Sequence, residues 1–277
     1  MKSEELLKSN SEWDVKETIT VYENYNSVND EELLVRKASN GHLGAQLVAL
    51  KLRQDDEMER NLPVNLNVNE FYDLGLKGQP LAASYAASSI DEVDEVKAIK
   101  NIDEVIKVQL KLIQTSILEG GLGNFPFYVS LLLLKENESS KIDNDWVIDK
   151  KNVSKLSNQE LQNIVNMNKY LAKVGYDITP IYFMQMYYFG YGVNKDFVES
   201  CAWAKNVDQT LINRELINLI KKIESEKLST EQEIQCKALT ERYKDYLKHD
   251  YANWLQRDSI VYKSQAQKIL DEYNIKF

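Results

Sequence analysis

Histidine and cysteine are nearly missing from this 277-residue chain, at two each, and proline numbers only four. Two His and two Cys leave little material for a metal centre or an activated nucleophile. Four prolines and ten glycines mean few sharp breaks, so long stretches can stay helical. Surplus basic charge is lacking too: 34 Lys+Arg face 43 Asp+Glu, a net charge of −9. A polyanion is bound by neutralising its phosphates, so no nucleic-acid partner is expected, and a basic protein is easier to accommodate. The most apolar stretch, residues 127–134, is short of the ~20 residues that cross a bilayer, so no membrane insertion is expected. The N-terminal MKSEELLKSNSEW holds no apolar run that would serve as a signal-peptide core. A cytoplasmic location is the default reading, with a periplasmic one if the chain is a mature exported form. Cys201 and Cys236 fit no metal spacing and are too few for a disulfide framework, so both are expected as reduced, partly buried thiols. What is present is ordinary globular material, 43 % hydrophobic and 28 % charged with 16 Tyr, enough to bury a core.

The few glycines mark repeats. Gly41 is followed by Ala45 and Ala49, and Gly78 by Ala82 and Ala86, at offsets of four and eight. Gly121 and Gly175 each have Pro five residues on (Pro126, Pro180) and Tyr seven on (Tyr128, Tyr182). Each unit reads as a helix, a Gly-centred turn and a second helix, with small Ala letting two helices approach. Capping-box patterns at Asn29–Glu32 and Thr230–Glu233 precede helices. Leu211, Ile212, Leu216, Ile217, Leu219, Ile220 and Ile223 form an apolar helical stripe, and another helix is expected from about Ser259. No strand is expected.

The segment MYYFGYGVNKDFVESCAWAKN carries Tyr187, Gly190, Gly192, Val193, Asp196, Ser200 and Trp203 in the order G-x-G-V-x-x-D, a small residue, then Trp. It resembles the hallmark of the Sel-one-like repeat, a relative of the tetratricopeptide repeat; KASNGHLGAQLVAL around Gly41 resembles that family's helix junction. The resemblance implies an all-α solenoid of stacked antiparallel helix pairs, with Asp196 capping the second helix of its pair. It also implies an adaptor, scaffold or regulator that binds other proteins, with no shared catalytic residues and no cofactor. The expected organisation is one elongated domain over 1–277. It would have an N-terminal cap (1–30), about four repeat units (31–207) with a polar insertion near 135–158, and capping helices (208–277).

No catalytic or metal site emerges. His42, in the Gly41 turn, and His249 lack partner patterns and are read as surface histidines. GGLG and GYG lack the ending of a phosphate loop. Two groups are candidates for partner contact. Tyr85, Tyr128 and Tyr182 share one offset from their repeat glycines, so they form either an interface ladder or packing between paired helices. Asp91, Glu92, Asp94 and Glu95 form either a helix-start cluster or an acidic patch that steers a basic partner. Tyr187 and Trp203 are read as repeat packing. The chain is thus expected to be a non-enzymatic protein-binding protein. Its Asn-, Lys- and Ile-rich composition resembles that of AT-rich bacteria, and the most specific expectation is an immunity-type inhibitor of a basic toxin or secretion-system effector. A general adaptor is the alternative, and an enzyme or effector using its terminal regions a distant one.

Overall fold

The computed structural model of the protein describes residues 3–9, 11–60, 68–134 and 146–277. Among these the chain is all-α, with no strand and two isolated bridges, Gly121 with Ile260 and Leu134 with Ile148. Two compact units are distinguished, residues 1–124 with 258–269 and residues 125–257 with 270–277. The expected capping region 208–277 is therefore shared between them.

In the first unit lie α1 (Ser3–Lys8), α2 (Val15–Glu23), α3 (Ser27–Ser39), α4 (Leu43–Glu59), α5 (Val68–Leu76), α6 (Pro80–Ser88), α7 (Asp94–Lys97) and α8 (Ile102–Leu118). Leu6, Leu7, Trp13, Val21, Leu34, Ala45 and Val48 make one core cluster. Small residues set the approach of its helices. A Cβ on Gly44 would lie 2.7 Å from the Trp13 ring, and one on Gly75 2.8 Å from the Ala83 backbone. Of the four alanines at the repeat offsets, Ala45, Ala82 and Ala86 are wholly buried and Ala49 is half-buried. The capping box expected at Asn29–Glu32 does not form: α3 starts three residues earlier, where Asn26 caps it by accepting from the Val28 amide and Asp30 accepts from the Asn26 amide.

One turn recurs through both units. After Gly41, Gly78 and Gly175, the next amide bonds a carbonyl five residues back, and the glycine amide bonds one three back. This is the paired bonding of a Schellman cap, which needs a left-handed residue. The third junction is corrected by one position: Gly120 (φ 116°) takes the left-handed place and Gly121 supplies the second amide, to Ser116. The shift breaks the offset match, since Tyr128 then stands eight residues past its junction glycine. A 3-10 turn, Leu122–Asn124, intervenes before the next helix.

The second unit holds α9 (Phe125–Leu133), α10 (Lys150–Val153), α11 (Asn158–Lys173), α12 (Thr179–Phe189), α13 (Phe197–Ala204), α14 (Arg214–Glu224), α15 (Thr230–Leu247) and α16 (Tyr251–Arg257). Then α17 (Lys263–Glu272) runs through residues of both units. Of the polar insertion, residues 135–145 lie outside the described residues. The described remainder includes α10, capped by Asp149. Helix α12 is apolar nearly all round and is buried from Thr179 to Met186, as a central helix must be. Gln185 on it donates to the Trp146 carbonyl at 2.8 Å and accepts from the Ile148 amide at 2.9 Å. The C-terminal stripe is shorter than expected, with Leu216, Ile220 and Ile223 buried in α14 and Leu211 in a separate 3-10 turn. The second capping box also shifts, by one residue, to Ser229 and Gln232.

The cysteines overturn the sequence reading. Cys201 on α13 and Cys236 on α15 form a disulfide, with Cα atoms 6.0 Å apart. They stand 35 positions apart in the sequence, with α14 and its turns between them, so their meeting depends on α13 packing against α15.

Candidate functional site

The G-x-G-V-x-x-D segment forms the turn between α12 and α13. Gly190 (φ 80°) ends α12 in the left-handed conformation, and the Asp196 carboxylate accepts from the Val198 and Glu199 amides to cap α13. Gly192 (φ 68°) leaves 3.2 Å between an added Cβ and Leu161 on α11. Trp203 on α13 is 4 % exposed. Its ring stacks on Tyr243 of α15, with centroids 4.0 Å apart and planes 11° from parallel, and it meets Phe183 of α12 at 4.8 Å.

Beside this stack the second unit opens a cavity of about 450 Å³, its wall including Phe183, Tyr187, Trp203, Tyr243, Tyr246 and Tyr273. Helical spacing supplies these faces: Phe183 and Tyr187 are four residues apart on α12, and Tyr243 and Tyr246 three apart on α15. On one side, α11 contributes Lys169, Ala172 and Lys173 at the same spacing. Lys173 sits 3.6 Å from Glu272 and 5.7 Å above the Tyr273 ring; its hydrogen bond with Tyr273 pushes its pKa up. Tyr243 donates to Glu199 at 2.6 Å. Burial, then this bond, pushes the Tyr243 hydroxyl well above its ordinary value. Burial, then the charges of Glu199 and Asp196, pushes Tyr187 up to about 12. A second, polar cleft of about 690 Å³ runs past the Gly190–Asp196 turn and shares Lys169 and Tyr187 with the aromatic cavity.

The partner-contact candidates separate. Tyr182 is fully buried, sharing a 3.0 Å hydrogen bond with Ser130, and Tyr128 is buried against Phe277. Both are packing residues, the alternative already open in the sequence. Tyr85, in the first unit, is 39 % exposed; Phe71 lies beside its ring and Lys51 is 4.5 Å from the ring centre. Of the acidic cluster, Asp91 and Glu92 lie on a 3-10 turn and Asp94 and Glu95 open α7. All four are exposed. Asp94 is committed locally: its amide donates to Asn69, and its carboxylate accepts from Lys97 at 3.1 Å and from Asn69 at 3.0 Å. The Lys97 bond, then the Asn69 bond, pulls its pKa down.

His42 is also corrected. It is buried, not a surface residue, and it caps α4: Nδ1 accepts from the Ala45 amide at 3.1 Å, so Nε2 donates to the Ser11 carbonyl at 2.9 Å. Gln79 does the same for α6 through the Ala82 amide. His249 is exposed. Among the described residues no group of three His, Cys, Asp or Glu is placed to hold a metal ion, and no helix is long and apolar enough to cross a membrane. Sequence reasoning missed Lys169, Lys173, Tyr243, Tyr246 and Tyr273; the available signal was the Tyr-x-x-Tyr spacing on α15. Compared with known proteins, the chain matches no family model, no curated protein and no solved structure.

Proposed function

We propose that this chain is a non-enzymatic, protein-binding helical-repeat protein of Sel-one-like type, and that the aromatic cavity of its second unit receives the partner. The observation that carries this reading is the open wall of Tyr, Trp and Phe side chains around about 450 Å³. Rigid aromatics with polar tips are the residues that anchor protein interfaces. The repeated Schellman junctions and the capped G-x-G-V-x-x-D turn support stacked helix pairs as the scaffold. In its most specific form the partner is a bacterial toxin or secretion-system effector that the chain neutralises. The net charge of −9 favours such a basic partner through encounter. The disulfide supports work in an oxidising compartment such as the periplasm, since such bonds are rare in reducing cytosol.

Affinity isolation of the tagged chain from its native cells tests the reading. A stoichiometric protein complex that dissolves on Tyr246→Ala is expected; no stoichiometric partner, or a complex indifferent to that substitution, overturns it. Rescue of growth when the partner is expressed with the chain distinguishes an inhibitor from a general adaptor.

A further inference from the structure

The aromatic cavity carries charge of one sign. The charged side chains in its lining are Lys169 and Lys173, both exposed. The Lys173–Glu272 pair, at 3.6 Å between side chains about 60 % exposed, is weak enough to be exchanged for a ligand. The indole ring of Trp203, stacked on Tyr243, forms part of the cavity wall. A cavity of this size suits one large side chain with its flanking backbone. The polar cleft sharing Lys169 and Tyr187 continues the path beyond it.

We infer that the cavity recognises an acidic–aromatic segment of a partner protein: an aromatic side chain beside a carboxylate, in extended chain. This rests on the protein-binding reading above and adds the chemistry of the bound segment. The aromatic ring lies against Tyr243 and Tyr246, and the carboxylate pairs with Lys169 and Lys173. The onward backbone follows the cleft, whose lining includes Asn158 and Asn194 and the acidic Asp196 and Glu199, so the residues after the bound carboxylate are uncharged. A basic segment would set its cation against both lysines. The site therefore selects a charge opposite to the one that the whole molecule's −9 attracts, so the bound segment is an acidic stretch within the partner.

Three blocked peptides test this on the full-length protein: acetyl-Ala-Phe-Glu-amide, its Phe→Ala form and its Glu→Gln form. The readout is the indole N–H resonance of Trp203 in nitrogen-15 NMR, assigned by its loss in Trp203→Phe. The parent peptide is expected to shift that resonance. Replacing Phe weakens binding by about tenfold or more, from the lost burial. Replacing Glu, or adding salt, weakens it by about threefold, the scale of a solvent-exposed pair. Lys173→Glu and Lys169→Glu, at exposed positions that leave the fold intact, reduce binding likewise. No shift at millimolar peptide, equal binding of all three peptides, or indifference to both lysine reversals overturns the inference. Peptide failure beside a stoichiometric partner lost on Tyr246→Ala removes this chemistry and leaves the protein-binding reading standing. Failure of both removes both.

Discussion

A methyl group added at Gly175 would place its carbon 2.0 Å from the His249 carbonyl oxygen, whereas one added at Gly41 meets nothing within 4 Å. Both glycines sit in the same left-handed cap, at φ 85° and 88°. Gly41→Ala should therefore cost only the left-handed penalty, about 1–2 kcal/mol. Gly175→Ala adds a backbone clash, so it should cost at least twice as much and speed amide exchange around His249. Equal losses in denaturant titrations would show that the His249 segment yields freely. The tyrosines divide in the same way. Tyr182→Ala removes a fully buried ring and should cost about 3–5 kcal/mol; Tyr85→Ala, at 39 % exposure, should cost about 1 kcal/mol. Comparable losses at the two positions would return Tyr85 to the core.

Helices α13 and α15 are joined by the Cys201–Cys236 disulfide, by the Trp203–Tyr243 stack and by the hydrogen bond from Tyr243 to Glu199. Closing a loop of 35 residues stabilises by about 3–4 kcal/mol in the chain-entropy account. Cys201→Ser with Cys236→Ser, or reduction of the native chain, should lower the melting temperature. Because Trp203 and Tyr243 line the cavity, the change should also alter Trp203 fluorescence. A melting curve unmoved by reductant would refute the clamp. This bond also marks the limit of what the sequence discloses. Its two cysteines meet only because α14 returns the chain, a tertiary event that spacing does not encode. Local chemistry was legible: the Asp196 cap, the junction glycines and the buried Ala faces follow from side-chain size and backbone preference. Register was less so, because neighbouring Gly120 and Gly121 both permit the turn, and Asn26 and Asn29 can each cap. The cavity was not legible, since its residues come from four separate helices and the turn after α17.

At the scale of the whole molecule, a set of tyrosines is held protonated, most of them in the second unit. Burial raises Tyr176, Tyr182, Tyr187, Tyr243 and Tyr251, with Tyr187 and Tyr251 pushed to about 12. In the first unit Tyr22 reaches about 12, chiefly through its hydrogen bond to Asp55. The ordinary value is 10.0, and a folded value above it means that the unfolded chain loses its proton first. The stability these groups contribute is then complete below pH 10 and declines as pH rises toward 12. For fully buried Tyr182 the loss is about 1.4 kcal/mol per pH unit above 10; for the partly exposed rings solvent screening makes it smaller. The second unit should open first in alkali, seen as early amide exchange in α11–α13 while α2–α4 stay protected. Tyrosinate at Tyr182, read from its own ring resonance, should form in step with that opening. Tyrosinate at Tyr182 near pH 10 with both units still protected would mean that its hydroxyl reaches water in the folded chain, and that the second unit's core is open to it.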